Sequence, residues 1–475
     1  PKNTPILTAF RTNPKEIMKN RLAPAVAAAA PAGLSRRNIL ALAGILGGSA
    51  ALAACGGPST AGTPGAAETA GTDWSSVTPA KKITWWSNHP GASKPIEEEL
   101  IRRFTAETGI GVELVTAGAN YDEVAQRFQA SAGTNNVPDL VGASDVWWFR
   151  YMINGQILPV DDVAAHLGID TADYNTGLYN DYEFNGNHWA FPYARSTPLF
   201  YYNRDLFKAA GLPDRAPKTW DEYNSWAPAL ATANGGAVPM ALGSDTSWSA
   251  WWFCNIMWGL GGQYSQEWNI TLDDPKTLEA GEFLRRMIHQ DKSVAVSSAD
   301  YVADFTAGVS TCTIASTGSL SGIMEAARFD VGTGFLPEGP AGPACPTGGT
   351  GIAIPAAKSP EQQLAAAMFL KFIGEPEQTA YFSANTGYMP VRTSAADGAQ
   401  MQAVYAKAPQ FRTAVDQLAT TRVQDWARSF VPSGDQHLTT ALEKIMLQDT
   451  PAADAFAAAA DAIAKSFEQN VEPYL

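Results

Sequence analysis

Two side chains in the second half of the chain could donate hydrogen bonds to an oxyanion. Arg428, in the segment DWARSF, carries a guanidinium that can present two parallel N–H groups to an anion. Tyr388, in TGYMP, can donate its hydroxyl. Two alternatives stay open: Arg428 could be a surface residue paired with an acid such as Asp425, and Tyr388 could be a packed loop residue.

Backbone N–H groups offer a second kind of anion donor. Ser316 and Ser319 precede a predicted helix at 320–328, where unpaired N–H groups and the helix dipole favour an anion. Gly348 and Gly349 have no side chains, so their N–H groups can approach a ligand closely. The serines can equally be a plain helix N-cap, and the glycine pair a turn.

A bulky permanent cation binds to aromatic faces and a carboxylate, and the chain offers both. Trp248 and Trp251 lie in WSAWWFCNIMW, Tyr121 begins YDEVAQ, and Asp145 follows the buried strand PDLVGA. The alternatives are that the tryptophans pack in the core and that Asp145 caps the helix that contains Trp147.

Catalytic and metal-binding patterns are missing from the sequence. The five histidines are scattered and form no i,i+4 metal pair, and no G-x-S-x-G or Cys–His spacing is found. Clustered His, Tyr and acidic metal ligands are also absent. We therefore expect a binding protein that is not an enzyme and needs no metal or cofactor; the less favoured alternative is a secreted glycosidase or phosphodiesterase.

The elements that must position these groups centre on residues 190–213, AFPYARSTPLFYYNRDLFKAAGLP. Two strand-like runs are broken at Thr197 and Pro198, and Asn203 caps the helix that follows. This order predicts a crossover between two halves of the protein. At 475 residues the chain is too long for one core, and strands that alternate with helices indicate parallel or mixed sheets. Ligands of such sheets gather beyond the strand ends.

Shorter motifs and the cysteines add local predictions. Asn185-Gly186 is a hairpin signal, and Thr219 with Glu222 forms a capping box. Apart from Cys55, three cysteines are present, so at most one disulfide is available. The pair considered is Cys312–Cys345, and otherwise Cys254 and both of these are buried thiols.

The first 54 residues are predicted to be a targeting segment. Ser35-Arg36-Arg37 resembles a twin-arginine export signal, an apolar run follows, and Leu52 to Cys55 resembles a lipobox. Cys55 would then be lipidated, and residues 55–80 would form a flexible linker. The whole chain has a net charge of −14, and without residues 1–54 it holds 26 basic and 46 acidic residues, so the mature protein would be a poor partner for nucleic acid or an anionic membrane surface.

Several motifs in order carry a family resemblance that covers about residues 81–475. ASTGSLSGI, PTGGTGIAIPA and YFSANTGYMPVR resemble the glycerol-3-phosphate and glycerophosphodiester binding component of bacterial ABC importers. WWSNHPG, VPDLVGASDVWWF and VDQLATTRVQDWARSFVPSGD resemble its actinobacterial form, which takes glycerophosphocholine.

The resemblance implies an α/β, two-lobed fold of the type II periplasmic-binding-protein kind. Each lobe would be a mixed sheet flanked by helices, with a hinged cleft between the lobes. We expect residues 81–195 plus 311–356 to form the N-terminal lobe and residues 196–310 plus 357–475 to form the C-terminal lobe.

The resemblance also implies a set of ligand-binding residues. They are Tyr121, Asp145, Ser196, Trp251, Ser316, Gly349, Tyr388 and Arg428. Trp248 and Ser319 are further candidates for the pocket wall. One departure from the family pattern is Asp145, because the enteric members carry Glu at that position.

By this resemblance the protein is the substrate-binding subunit of an ABC importer. It would capture glycerophosphocholine, related glycerophosphodiesters or glycerol 3-phosphate by lobe closure. It would then deliver them to permease subunits driven by cytoplasmic ATPase subunits. It would work outside the cytoplasm, anchored to the membrane by the lipid on Cys55. The alternative is an oligosaccharide-binding subunit of a sugar importer, for which the anion donors would have no use.

Overall fold

The computed structural model describes residues 72–89, 93–243, 248–297 and 300–475. The predicted signal segment and Cys55 lie outside these residues. Within the described part of the chain, no helix is long and apolar enough to cross a membrane.

Short strands are distributed along the described chain. In order they are β1 (Lys82–Ser87), β2 (Gly111–Thr116), β3 (Leu140–Ser144), β4 (Glu183–Phe184), β5 (Asn187–His188), β6 (Phe191–Ser196), β7 (Pro198–Asn203), β8 (Met240–Gly243), β9 (Ser265–Gln266), β10 (Asn269–Ile270), β11 (Val294–Ser297), β12 (Cys312–Ser316), β13 (Val331–Gly334), β14 (Cys345–Pro346), β15 (Gly348–Ala353) and β16 (Thr421–Arg422).

Helices separate most of these strands and make up nearly all of the C-terminal part. In order they are α1 (Lys94–Thr108), α2 (Tyr121–Ser131), α3 (Trp148–Ile153), α4 (Asp161–Leu167), α5 (Thr176–Asn180), α6 (Arg204–Ala209), α7 (Trp220–Ala233), α8 (Ser249–Gly259), α9 (Pro275–His289), α10 (Tyr301–Thr306), α11 (Leu320–Ala326), α12 (Pro360–Ile373), α13 (Pro376–Thr386), α14 (Thr393–Asp397), α15 (Ala399–Lys407), α16 (Gln410–Gln417), α17 (Trp426–Ser429), α18 (Gly434–Gln448) and α19 (Ala452–Asn470).

Two five-stranded sheets organise the fold. The first has the strand order β2-β1-β3-β15-β6, and the second has the order β11-β8-β12-β7-β13. In the first sheet β1 is parallel to β2 and β3, whereas β15 is antiparallel to β3 and β6. In the second, β8 is parallel to β11 and β12, whereas β7 is antiparallel to β12 and β13. The prediction of an α/β protein with mixed sheets is confirmed.

The predicted crossover is confirmed at residues 196–198. Strand β6 belongs to the first sheet and β7 to the second, and only the fully buried Thr197 separates them. Every residue of both strands is buried, as expected for strands at the centre of the molecule. Asn203 caps α6, because its Oδ1 accepts a hydrogen bond of 3.1 Å from the Leu206 N–H.

The predicted lobe boundaries are wrong after residue 310. Strands β12 and β13, placed in the N-terminal lobe, pair with the two edges of β7 in the second sheet, and only β15 returns to the first. Likewise α12, assigned to the C-terminal lobe, packs on the first sheet, where Phe369 lies 5.6 Å from Trp85 and 5.1 Å from Phe104 between ring centroids. Strand pairing between distant segments decides these boundaries, and no local pattern encodes it.

The predicted hairpin turn and the predicted helix cap are both confirmed. Strands β4 and β5 form a hairpin whose turn residues Asn185 and Gly186 both have positive φ, 54° and 79°. The Thr219 hydroxyl accepts a hydrogen bond of 3.1 Å from the Glu222 N–H at the start of α7. Cys254, Cys312 and Cys345 are free buried thiols, so the Cys312–Cys345 disulfide is not formed.

Replacing Asn203 with alanine should lower the free energy of unfolding by about 1 kcal/mol, because the first turn of α6 loses its cap. Denaturant unfolding checks this. Asn203→Ser keeps an acceptor oxygen at the same position and should lose much less. Equal losses in both variants would mean that the cap contributes nothing and that packing of the side chain matters instead.

Candidate functional site

A cavity that is partly open to solvent lies at the ends of strands from both sheets; its empty space is about 510 Å³ when the adjoining solvent is included, and we call it the site cavity. It is lined by Tyr121, Asp122, Asp145, Val146, Ser196, Trp248, Trp251, Ser316, Gly348, Gly349, Tyr388, Arg428 and Asp435. All eight predicted ligand-binding residues are among them, and so is Trp248. Ser319 is not among the lining residues.

Strand geometry explains why residues so far apart in sequence meet here. In the first sheet, Asp145 directly follows β3, Ser196 ends β6, and Gly348 begins β15 opposite Ser196. Because β15 runs antiparallel to β3 and β6, its start shares an edge with their ends. In the second sheet, Ser316 ends β12 opposite Pro198, the first residue of β7. The cavity lining therefore lies at strand ends in both sheets, which is where ligands of such sheets usually bind.

Arg428 is the charged centre of the site cavity. It is 3% exposed, and its Nη1 donates a hydrogen bond of 3.0 Å to Asp145 Oδ2 and another to Gln424 Oε1. Its Nε lies 2.6 Å from Asp435 Oδ1, an ion pair without hydrogen-bond geometry. The alternative of a surface arginine paired with Asp425 is therefore wrong, because Arg428 is buried and paired with other acids.

One amino group of Arg428 remains available. Among the described residues none accepts a hydrogen bond from its Nη2. Gln424, which was not predicted from the sequence, fixes the position of Asp145 and Arg428. Its Nε2 donates hydrogen bonds to Asp145 Oδ2 and to the Thr347 carbonyl, each at 2.6 Å. The guanidinium is therefore held in one orientation, with a donor left for a ligand.

Three carboxylates line the cavity together with Arg428, those of Asp122, Asp145 and Asp435. Burial raises the pKa of Asp435 to about 7, and the neighbouring Arg428 only partly offsets this. Asp122 also accepts a hydrogen bond of 2.6 Å from the indole N–H of Trp147. Within the described ranges, no group of three or more His, Cys, Asp or Glu side chains is arranged to hold a metal ion.

Two tryptophans form an aromatic wall. The rings of Trp248 and Trp251 are 5.5 Å apart with their planes at 67°. Trp251 is also a packing residue: it is buried, its indole N–H donates 2.9 Å to the Thr347 carbonyl, and a Cβ at Gly348 would come within 2.6 Å of its Nε1. Trp248 lies at the N-terminal end of α8 and is half-buried, so its ring is the freer of the two.

The two tyrosines supply hydroxyl donors. Burial raises the pKa of Tyr121 and of Tyr388, so both phenols keep their protons at neutral pH. Tyr388 stacks on Phe382, with centroids 5.8 Å apart, and packs over Gly318, where a Cβ would lie 2.5 Å from its ring. Tyr388 is therefore both a packed residue and part of the cavity lining.

The serine and glycine donors are only partly as expected. Ser316 Oγ accepts a hydrogen bond of 3.1 Å from the Gly318 N–H, so it caps a short turn while its own O–H stays free to donate. Gly349 has a φ of 94°, and a Cβ there would lie 2.1 Å from the Ala194 carbonyl. Glycine at position 349 is therefore required by the backbone itself.

A second buried arginine, Arg195, precedes Ser196 in β6 and was not among the predicted site residues. It is fully buried, its Nη1 donates 2.8 Å to the Tyr182 hydroxyl, and its Nη2 pairs with Asp181. Asp181 also accepts 2.6 Å from the Thr347 hydroxyl. A charged residue inside the apolar strand FPYARS was a usable signal, whereas nothing local marked Gln424 or Asp435.

The family model of the bacterial extracellular solute-binding proteins matches residues 99–413, well over half of the chain. The chain is 28% identical over 354 residues to the sn-glycerol-3-phosphate-binding periplasmic protein UgpB of Shigella dysenteriae. The aligned segment covers 71% of this chain and 80% of that protein. UgpB of Escherichia coli K12 matches equally, with 28% identity over 354 residues.

Solved structures show the same fold. The structure of Mycobacterium tuberculosis UgpB in complex with glycerophosphocholine matches with a TM-score of 0.79 and 44% identity, covering 82% of this chain and 100% of that one. The GacH receptor of Streptomyces glaucescens, at 20% identity and a TM-score of 0.72 over 82% of this chain and 98% of that one, shares the fold alone. The fold is the type II periplasmic-binding-protein fold, and the chain belongs to the family of bacterial extracellular solute-binding proteins.

Proposed function

We propose that the protein captures glycerophosphodiesters, with glycerophosphocholine as the best-fitting ligand, for import by an ABC transporter. The observation that carries the proposal is the site cavity itself, because it gathers all eight residues that the family resemblance implied. Two of the relatives bear on the ligand: UgpB of Shigella dysenteriae is named for glycerol 3-phosphate, and UgpB of Mycobacterium tuberculosis was solved with glycerophosphocholine.

The phosphate would be bound by neutral donors grouped around one guanidinium. Nη2 of Arg428 is free to donate, and the hydroxyls of Ser316, Tyr121 and Tyr388 line the same cavity. A phosphodiester carries one negative charge and several acceptor oxygens, so it matches one cation and several neutral donors. Ser196 would add a further hydroxyl.

The excess of carboxylates supports a ligand that also carries a positive charge. Even where Asp435 keeps its proton, the carboxylates of Asp122 and Asp145 outnumber Arg428 in the lining, which disfavours a bare dianion. A choline group would meet Asp145 together with the faces of Trp248 and Trp251. A zwitterionic diester therefore suits the cavity better than glycerol 3-phosphate.

Capture would proceed by closure of the two lobes around the ligand. Ligand contacts from both sheets would favour the closed form, since the ligand binds that form better. The closed form would then dock on the permease, whose ATPase subunits drive import, while a lipid on Cys55 keeps the protein at the outer face of the membrane. The protein would bind its ligand without changing it chemically.

Calorimetric titration of the purified protein with glycerophosphocholine, glycerol 3-phosphate and maltose tests the proposal. Tight binding of glycerophosphocholine is expected, with weaker binding of glycerol 3-phosphate and none of maltose. Binding of maltose alone would overturn the proposal in favour of an oligosaccharide-binding subunit.

Replacing Arg428 with lysine should weaken glycerophosphocholine binding about 10- to 100-fold, because an ammonium keeps the charge but loses the fixed, planar donors. Calorimetry measures the affinity. Lysine is chosen because alanine would leave the buried carboxylates of Asp145 and Asp435 without their partner and endanger the fold. The matched control is Arg422→Lys, at a half-exposed arginine on the same segment, which should bind as the wild type does. Equal affinity in both variants would remove Arg428 from the phosphate site.

Replacing Trp248 with leucine should lower the affinity for glycerophosphocholine about tenfold and change that for glycerol 3-phosphate little, because only the choline group uses the aromatic face. Both affinities are measured by titration. Trp226→Leu, at a tryptophan that packs on Phe207 outside the cavity lining, is the control. A parallel loss of both ligands would contradict the assignment of Trp248 to the cation.

Stability should depend on pH through Asp435. Its folded pKa of about 7 lies above the ordinary 3.8, so the folded state keeps a proton that the unfolded chain loses first. This contribution to the unfolding free energy is therefore fully present at low pH and falls by roughly 2–4 kcal/mol as the pH rises from about 4 to about 7.

Denaturant unfolding of the ligand-free protein across this pH range measures the effect. Asp435→Asn should show a correspondingly smaller slope than the wild type. The exposed Asp454→Asn serves as the control and should keep the wild-type slope. If the two variants have the same slope, the buried carboxyl does not titrate in this range.

A further inference from the structure

Three segments of the described chain lead from the side of one five-stranded sheet to the side of the other, and we call them the crossing segments. The first is Thr197, between β6 and β7. The second, residues 335–347, runs from β13 of the second sheet to β15 of the first. The third, residues 418–425, leads to α17 and α18, and Leu438 of α18 shares a core cluster with Leu242 of β8. A movement of one sheet relative to the other changes the backbone at these segments.

The crossing segments lie side by side. Gly348, which follows the second segment, lies opposite Ser196, which precedes the first. Strand β14 of the second segment is parallel to β16 of the third, with Cys345 opposite Thr421. The three places at which the backbone bends during a relative movement of the sheets are therefore neighbours.

One buried side chain, that of Gln417, contacts the first and second crossing segments and stands at the start of the third. It is the last residue of α16 and is 1% exposed. At the first crossing, its Nε2 lies 2.8 Å from the Pro198 carbonyl oxygen and 3.3 Å from Thr197 Oγ1. In the second segment, Nε2 lies 3.1 Å from Cys345 Sγ, and Oε1 accepts a hydrogen bond of 2.8 Å from the Leu336 N–H.

The chemistry of this position requires an amide. The Leu336 N–H needs an acceptor and the Pro198 carbonyl needs a donor, and an amide offers one acceptor oxygen and two N–H donors without a charge. A carboxylate lacks the donor and an ammonium lacks the acceptor. Because the site is buried, a side chain without these groups leaves backbone polar atoms unsatisfied. Gln417 therefore fixes the spacing between the crossing segments.

The crossing segments carry residues of the site cavity at their ends. Ser196 directly precedes the first segment, Gly348 and Gly349 follow the second, and Arg428 comes three residues after the third. Gln417 itself is not among the residues that line the cavity. It can therefore influence a ligand only through the positions of these segments.

We propose that Gln417 is a positioning residue that holds the three crossing segments together as one pivot, about which the two sheets close on a ligand. The proposal rests on the proposed function for its binding measurements. With the amide in place, Ser196, Gly349 and Arg428 reach the ligand together. Without the amide the segments bend independently, and a ligand that contacts both sheets has to order them when it binds.

Replacing Gln417 with methionine, a flexible apolar side chain of similar length, should weaken the binding of glycerophosphocholine and of glycerol 3-phosphate by the same factor, about tenfold. The factor is the same because the loss arises at the pivot and not at a ligand contact. Calorimetry of the full protein measures both affinities. Hydrogen–deuterium exchange of the ligand-free protein should become faster in all three crossing segments and stay unchanged in β1 and β8.

The matched control is Gln410→Met, at a buried glutamine on the same helix whose Nε2 donates 2.7 Å to the Val331 carbonyl in β13. This variant should keep both affinities and the wild-type exchange of the crossing segments. Thr197→Val is a milder second variant, because it removes one acceptor of Gln417 and keeps the shape of the side chain. It should lower both affinities about threefold in the same two measurements, and it decides the test if Gln417→Met does not fold.

The other outcomes contradict the pivot. Unchanged affinities, unequal losses for the two ligands, or faster exchange confined to the residues around Leu336 would each overturn it. Faster exchange throughout the molecule would show that Gln417 supports only the general stability of the fold. If the wild-type protein binds neither ligand, the proposed function fails, whereas the exchange pattern of the ligand-free variants still decides whether Gln417 holds the crossing segments together.

Discussion

The buried ion pair between Arg428 and Asp145 is the interaction on which the site depends. Asp145 follows β3 of the first sheet, whereas Arg428 lies in α17, close to the helices that pack on the second. A buried guanidinium is stable only when carboxylates balance its charge and acceptors bind its N–H groups. Asp435 and Gln424 supply such partners next to Arg428. The pair therefore ties loops from distant parts of the chain to one position in the cavity lining.

Close backbone packing makes this arrangement reachable. A Cβ at Gly434 would lie 1.9 Å from the Ala427 carbonyl, so only glycine lets α18 begin directly against α17. That contact places Asp435 beside Arg428. Gly349 acts in the same way in the first sheet, where positive φ and the nearby Ala194 carbonyl exclude a side chain. Both glycines allow a close backbone contact that positions the residues of the cavity lining, although neither glycine contacts a charged group itself.

Charge balance links the geometry to the ligand. One guanidinium and several neutral hydroxyls suit a monoanionic phosphodiester, and the surplus of carboxylates suits a positive group attached to it.

Local sequence determined the elements of this protein and the chemical types in its site. The crossover at Thr197, the Asn203 cap, the Asn185-Gly186 turn and the residues beyond the strand ends follow from periodicity, capping and turn chemistry that act within a few residues, and the family motifs named the eight residues that the cavity gathers. Tertiary structure alone decided that β12 and β13 flank β7 and that Gln424 and Asp435 surround Arg428. Those outcomes depend on strand pairing and burial between segments far apart in the chain. The stabilising free energy arises only when the two segments are in contact, so the sequence of either segment alone does not reveal it.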